Sequence, residues 1–118
     1  MIIGLPNETN DMIQKTAKYI GDSGVDGIKF HLLHVLKNTD LEKDYTKYKF
    51  ILPTLYEYTD TLAECIRLIP PKMHIHRLTG DGSKNTLIAP LWSADKKKVL
   101  NYINKKFTEI NLIQGENL

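Results

Sequence analysis

Strand-like and helix-like stretches follow one another three times along this chain, and that order restricts it to a parallel α/β arrangement. Strands connected in this way return to the same end of a sheet through right-handed helical crossovers. The clearest strand covers residues 27–35: Ile28, Phe30 and Leu32 point one way, and Lys29, His31 and Leu33 the other. Before it, Met1-Ile2-Ile3 reads as the end of a buried strand entering a turn at Gly4-Leu5-Pro6-Asn7, and residues 73–79 read as a third strand. Nothing precedes the first strand to pair with it or cover it. The chain is therefore expected to be the C-terminal piece of a larger protein, with residues 1–118 forming one unit. Three βα units are too few to close a barrel but suffice for a barrel segment or a small open sheet.

The helices are marked by their caps and stripes. Thr9 or Asn10 caps a helix with Met12, Ile13, Ala17 and Ile20 inward, and Gly24 ends it in a left-handed turn. A turn at Asn38-Thr39-Asp40 leads into a short helix over residues 41–48. Thr54 and Glu57 form a capping box for a helix that buries Leu55, Tyr58, Leu62, Cys65, Ile66 and Ile69 before Pro70-Pro71 stops it. Ser93 is expected to cap the last helix, with Val99, Leu100, Ile103, Phe107 and Ile110 inward and residues 114–118 a frayed tail.

Composition limits the functional classes. A net charge of +2 does not indicate nucleic acid, and Lys96, Lys97, Lys98, Lys105 and Lys106 read as the solvated face of one helix. No apolar run approaches the roughly 20 residues that span a bilayer. A single cysteine, Cys65, excludes an internal disulfide, reads as an inert core thiol and agrees with a cytoplasmic setting.

Ligands of parallel α/β folds gather beyond the C-terminal ends of the strands, and each strand here has polar or glycine-containing residues at that end. Gly4 and Pro6 permit a sharp turn and close backbone approach, and Glu8 is placed to accept from a hydroxyl or amine. The plainer reading is a tight turn with Glu8 favoured by the helix dipole. Lys29 and His31 share one strand face, which suits a lumen or cleft as well as a wet edge. His76, Arg77 and Asp81 stand at the end of the third strand, where Arg77 either pairs with Asp81 or holds an anionic group. His31, His34, His74 and His76 raise a zinc alternative. In an unbroken strand, however, His31 and His34 face opposite sides, and His74 and His76 have no cysteine or carboxylate at ligand spacing. A free-standing phosphate- or nucleotide-binding module is a further alternative.

Three segments resemble a known pattern: Ile3-Gly4-Leu5-Pro6-Asn7-Glu8-Thr9, the run from Gly24-Val25-Asp26-Gly27-Ile28-Lys29-Phe30-His31 through Leu32-Leu33-His34-Val35-Leu36-Lys37-Asn38-Thr39, and His76-Arg77-Leu78-Thr79-Gly80-Asp81. They are similar to the C-terminal part of bacterial radical S-adenosylmethionine (radical SAM) iron-sulfur oxidoreductases. That family is related to the elongator-type and oxygen-independent coproporphyrinogen oxidase groups. The likeness runs over residues 1–92, and residues 93–118 follow as a C-terminal helix and tail.

The resemblance implies a segment of a partial TIM-like (β/α)6 barrel. The intact protein would hold a 4Fe-4S cluster and S-adenosylmethionine, cleaving the latter to a 5′-deoxyadenosyl radical. Gly4, Leu5 and Glu8 would flank the cofactor, and Lys29 and His31 would face the cavity; His76, Arg77 and Asp81 are candidates for substrate contact from their place at the strand end. Two departures stand out: the family's three cluster cysteines lie in its N-terminal half, and Asn7 replaces the usual glycine. This chain alone is accordingly expected to bind neither cluster nor cofactor and to be inactive. Its expected partners are the missing N-terminal half or, through an exposed strand edge and an apolar lumen wall, a second copy of itself.

Overall fold

A computed structural model describes residues 1–48, 50–80 and 83–118, so Asp81 lies outside the described residues. The order is β1 (Ile2–Ile3), α1 (Asn10–Asp22), β2 (Gly27–Lys29), β3 (His31–Leu32), β4 (Val35–Leu36), α2 (Asp40–Thr46), α3 (Leu55–Ile66), β5 (His74–Arg77), β6 (Leu87–Ala89) and α4 (Lys96–Glu109). Mixed α/β architecture with parallel pairing is what the strand–helix alternation predicts.

β1 pairs in parallel with β3, and β5 in parallel with β2. β2 and β3 are successive parts of one extended run, so the two ladders join into a staggered layer. The Phe30 amide donates to the Arg77 carbonyl at 2.8 Å on one side, and the Leu33 amide donates to the Ile3 carbonyl at 2.9 Å on the other.

The helices cover one face of this layer. Ile3, Ile28, Phe30 and Leu32 pack with Ile13 and Ala17 of α1, Tyr58, Leu62 and Cys65 of α3, and Val99 and Ile103 of α4. Tyr58 is fully buried, donates from its hydroxyl to the Leu78 carbonyl at 2.6 Å and lies against Trp92. Its hydroxyl pKa rises above the usual phenol range because burial disfavours the phenolate.

The long strand expected over residues 27–35 is shorter than its alternation suggested. It leaves the parallel layer after Leu32, and β4 pairs antiparallel with β6, a strand that sequence patterning did not reveal. With only three residues, β6 is too short to display a period. This pair nucleates a second small core of Val35, Phe50 and Ala89, flanked by Leu41, Tyr45 and Leu52.

Local details also differ. Asp95, rather than Ser93, caps α4, because Ser93 sits in a 3-10 turn at Leu91–Ala94 and its hydroxyl donates to the Pro90 carbonyl. Met12 is exposed: its sulfur accepts from the Thr9 amide in the cap, and Gly21 contributes to the buried stripe of α1. Residues 114–118 are docked instead of frayed. Gln114 donates to the Pro70 and Met73 carbonyls at 2.8 and 2.7 Å, the Gly115 and Asn117 amides cap the end of α3, and Glu116 pairs with Arg67.

The uncovered face is not an apolar wall. It carries Lys29, His31, His74 and His76 by period-2 alternation, and a bulge in the β2–β5 register brings Arg77 opposite Lys29.

Candidate functional site at the strand ends and on the open face

The turn after β1 forms one side of a cleft of about 310 Å³, bordered by Gly4, Leu5 and Glu8 and faced by Ile51, Leu52 and Pro53. Gly4 has φ of 105°, a backbone region that strains residues bearing a Cβ, and such an atom would also stand 3.4 Å from the Pro53 ring. Asn7 takes φ of 63°, so it performs the left-handed turn expected of the residue it replaces. The Glu8 amide closes the turn onto the Leu5 carbonyl at 3.2 Å.

Among the described residues, the Glu8 Oε1 atom is buried with no hydrogen-bond partner. A carboxylate oxygen in that position costs stability unless a donor reaches it. Glu57 borders the same cleft, and its carboxylate is held below the usual range by the Thr54 amide and hydroxyl of its capping box. The cleft is thus acceptor-rich and suited to a ligand that brings hydroxyl or amine donors.

The open face differs in charge. Lys29 and Arg77 are register partners across β2 and β5, with a bulge beside them at His76. In a parallel ladder partners share a face, so both cations stand on the open side. Two glycines seat the neighbouring rings. A Cβ on Gly27 would enter the His76 ring, and one on Gly80 would enter the His31 ring. The His31 Nδ1 atom lies 2.5 Å from the Leu32 carbonyl, which makes Nδ1 the protonated nitrogen.

His31 and His34 meet edge to face with centroids 5.2 Å apart. Odd spacing would have separated them in an unbroken strand, but the chain leaves the ladder between them. His74 and His76 lie 6.2 Å apart. Among the described residues no three His, Cys, Asp or Glu side chains form a metal-binding group. Cys65 lies on the opposite, helix-covered side; burial pushes its thiol up to about 12, helped by the Glu64 and Glu8 carboxylates. An iron-sulfur cluster does not fit these residues, since it needs several accessible thiolates.

His76 and Arg77 also border a second cleft, of about 450 Å³, with Thr79 and Lys96. Sequence reading named Gly4, Leu5, Glu8, Lys29, His31, His76 and Arg77. It did not find Pro53 and Leu52, which are brought in by the segment before α3, nor the two glycine seats, whose only signal was glycine inside or just beyond a strand. The structure splits the named residues between two places, the cleft after β1 and the open sheet face.

Residues 25–109 match the family model described as the radical SAM C-terminal domain. The chain belongs to that family. Its relatives include the uncharacterized protein YtqA of Bacillus subtilis, 42% identical over 116 residues covering 98% of this chain and 36% of YtqA. Protein YhcC of Escherichia coli is 35% identical over 96 residues, covering 81% of this chain and 31% of YhcC. The chain therefore spans about a third of the length of these relatives. Among solved structures, the archaeal Methanocaldococcus infernus Elp3 with an N-terminal deletion superposes with a TM-score of 0.76 at 16% identity, over 96% of this chain and 26% of that one. At that identity the likeness concerns the fold. As a radical SAM C-terminal domain, the chain has a family whose intact members imply S-adenosylmethionine and a 4Fe-4S cluster. Among its described residues no helix is long and apolar enough to cross a membrane.

Proposed function

We propose that this chain forms the C-terminal wall of a radical SAM enzyme's partial barrel, with the turn after β1 holding part of S-adenosylmethionine and the open sheet face turned to the lumen. With one electron from a 4Fe-4S cluster held elsewhere in the intact protein, bound S-adenosylmethionine would break its sulfonium C–S bond, release methionine and supply a 5′-deoxyadenosyl radical for hydrogen abstraction; these residues would contribute binding, orientation and exclusion of water. Gly4 lets the backbone approach the ligand, Leu5 gives an apolar contact, and Glu8 accepts a hydrogen bond from a hydroxyl or amine. Lys29 and His31 face the substrate cavity. Cluster cysteines would come from elsewhere in the intact protein.

The observation that carries this reading is Glu8. A buried, unpartnered carboxylate oxygen faces a cleft at the C-terminal end of a parallel strand, in a chain of this family. In the intact enzyme, Glu8→Gln should weaken S-adenosylmethionine binding roughly tenfold, the worth of one charge-assisted hydrogen bond, with little change in melting temperature. Calorimetric titration and 5′-deoxyadenosine release measure the effect. Wild-type affinity and turnover in Glu8→Gln would remove the reading.

A further inference from the structure

We propose that Lys29 and Arg77 form a subsite for an oxyanion, the phosphate or carboxylate group of a small substrate, on the open face of the sheet. The inference deepens the reading of that face as a substrate cavity.

Lys29 and Arg77 are paired in register across β2 and β5, so their Cα atoms stand about one strand spacing, roughly 5 Å, apart. Like charges opposite one another in a sheet repel and cost stability. Neither side chain makes an ion pair or hydrogen bond among the described residues. The strands themselves provide no counter-charge: residues 27–36 and 74–77 contain no aspartate or glutamate. Asp81, the partner that sequence alone offers to Arg77, lies outside the described residues.

The surroundings are built for the same chemistry. His76 rests over Gly27 and His31 over Gly80, where a Cβ would collide with each ring, so the two rings occupy fixed seats on the floor of the face. His76 and Arg77 also border a cleft of about 450 Å³, so the arginine stands beside open space able to admit a small ligand. The arginine fork and the lysine ammonium together match one oxyanion, the guanidinium by two parallel donors and the ammonium as a point charge. Two neighbouring cations are too few to follow a polynucleotide backbone, which favours a small ligand.

The test uses the 118-residue chain, isotopically labelled at arginine, lysine and histidine side chains and titrated at constant ionic strength. One arm uses inorganic pyrophosphate and the other citrate. The Lys29, Arg77 and His76 signals should move together along one saturating curve. Arg77→Gln and, separately, Lys29→Gln should each weaken binding roughly tenfold, as expected for loss of a charge-assisted contact. Their melting temperatures should be unchanged or higher, because the repulsion is relieved. Saturation by pyrophosphate alone assigns the subsite to phosphate, and saturation by citrate alone assigns it to carboxylate. Shifts confined to Lys96, Lys97 and Lys98 would overturn the proposal, as would wild-type affinity in both variants. Displacement of the bound anion by S-adenosylmethionine would also overturn it, since the cofactor's own carboxylate would then be the occupant. The Glu8→Gln outcome is read separately: weak cofactor binding there with no anion binding here defeats only this subsite, and the reverse defeats only the cofactor reading.

Discussion

The two faces of the three-stranded layer are made from alternate residues of the same strands, yet they have opposite chemistry. On one, Ile28, Phe30 and Leu32 lie under α1, α3 and α4 with little or no exposure. On the other, Lys29, His31, His76 and Arg77 remain open to solvent or half buried. Moving one position along the strand changes a residue's task from holding the fold to meeting a ligand. The division lets stability and recognition be altered independently, as long as the register holds.

The comparison can be broken most directly at adjacent positions. Phe30→Ala should destabilise by about 3–5 kcal/mol, the usual cost of emptying a buried phenyl site. His31→Ala, its neighbour on the open face, should cost less, about 0.5–1.5 kcal/mol for the hydrogen bond to the Leu32 carbonyl that it loses. Urea unfolding of the two variants measures both. Similar losses would mean that the open face also carries the fold.

A smaller effect is expected at the tail, which lies on the covered side. Gln114→Ala removes two donors from the Pro70 and Met73 carbonyls and should cost about 1–3 kcal/mol. Loss of hydrogen-exchange protection at the Gly115 and Asn117 amides would show that the tail has come off α3. An unchanged midpoint would return the segment to the frayed state that its sequence suggests.

The smallest effect sharpens the contrast through pH. Cys65 ionises near its ordinary 9.0 when unfolded but only near about 12 when folded. A raised folded value favours the neutral thiol, so its contribution is fully present below about pH 9 and is lost as pH rises toward 12. Cys65→Ala should flatten that decline in urea midpoints measured between about pH 8 and 11. Tyr58, also shifted upward, keeps part of the slope. An identical slope in the variant would mean that the thiol is not desolvated.

Much of the fold was legible because its signals are local. The Thr54–Glu57 box, the left-handed Gly24 and the alternation around Phe30 act within a few residues, and each occurs as expected. Met12 and Ser93 were misread because neighbouring groups offered competing caps. Met12 turned its sulfur to the Thr9 amide, and Asp95 supplied a better acceptor two residues beyond Ser93.

At the site, the residue types and their faces followed from sequence, since period 2 places Lys29 and His31 together whatever surrounds them. Their partners did not follow. Lys29 meets Arg77 only through the ladder between strands 48 residues apart in the chain, and His31 is seated by Gly80 from a distant loop. His31 and His34 come together only because the strand breaks. The chain by itself determined which side chains would be apolar, which would be polar and where helices would begin, because these depend on short-range spacing and hydrogen bonding. Only tertiary structure decided that β4 would turn to β6, that the tail would dock on α3 and that two cations would stand side by side, because each depends on which distant segments share a hydrogen-bonded edge.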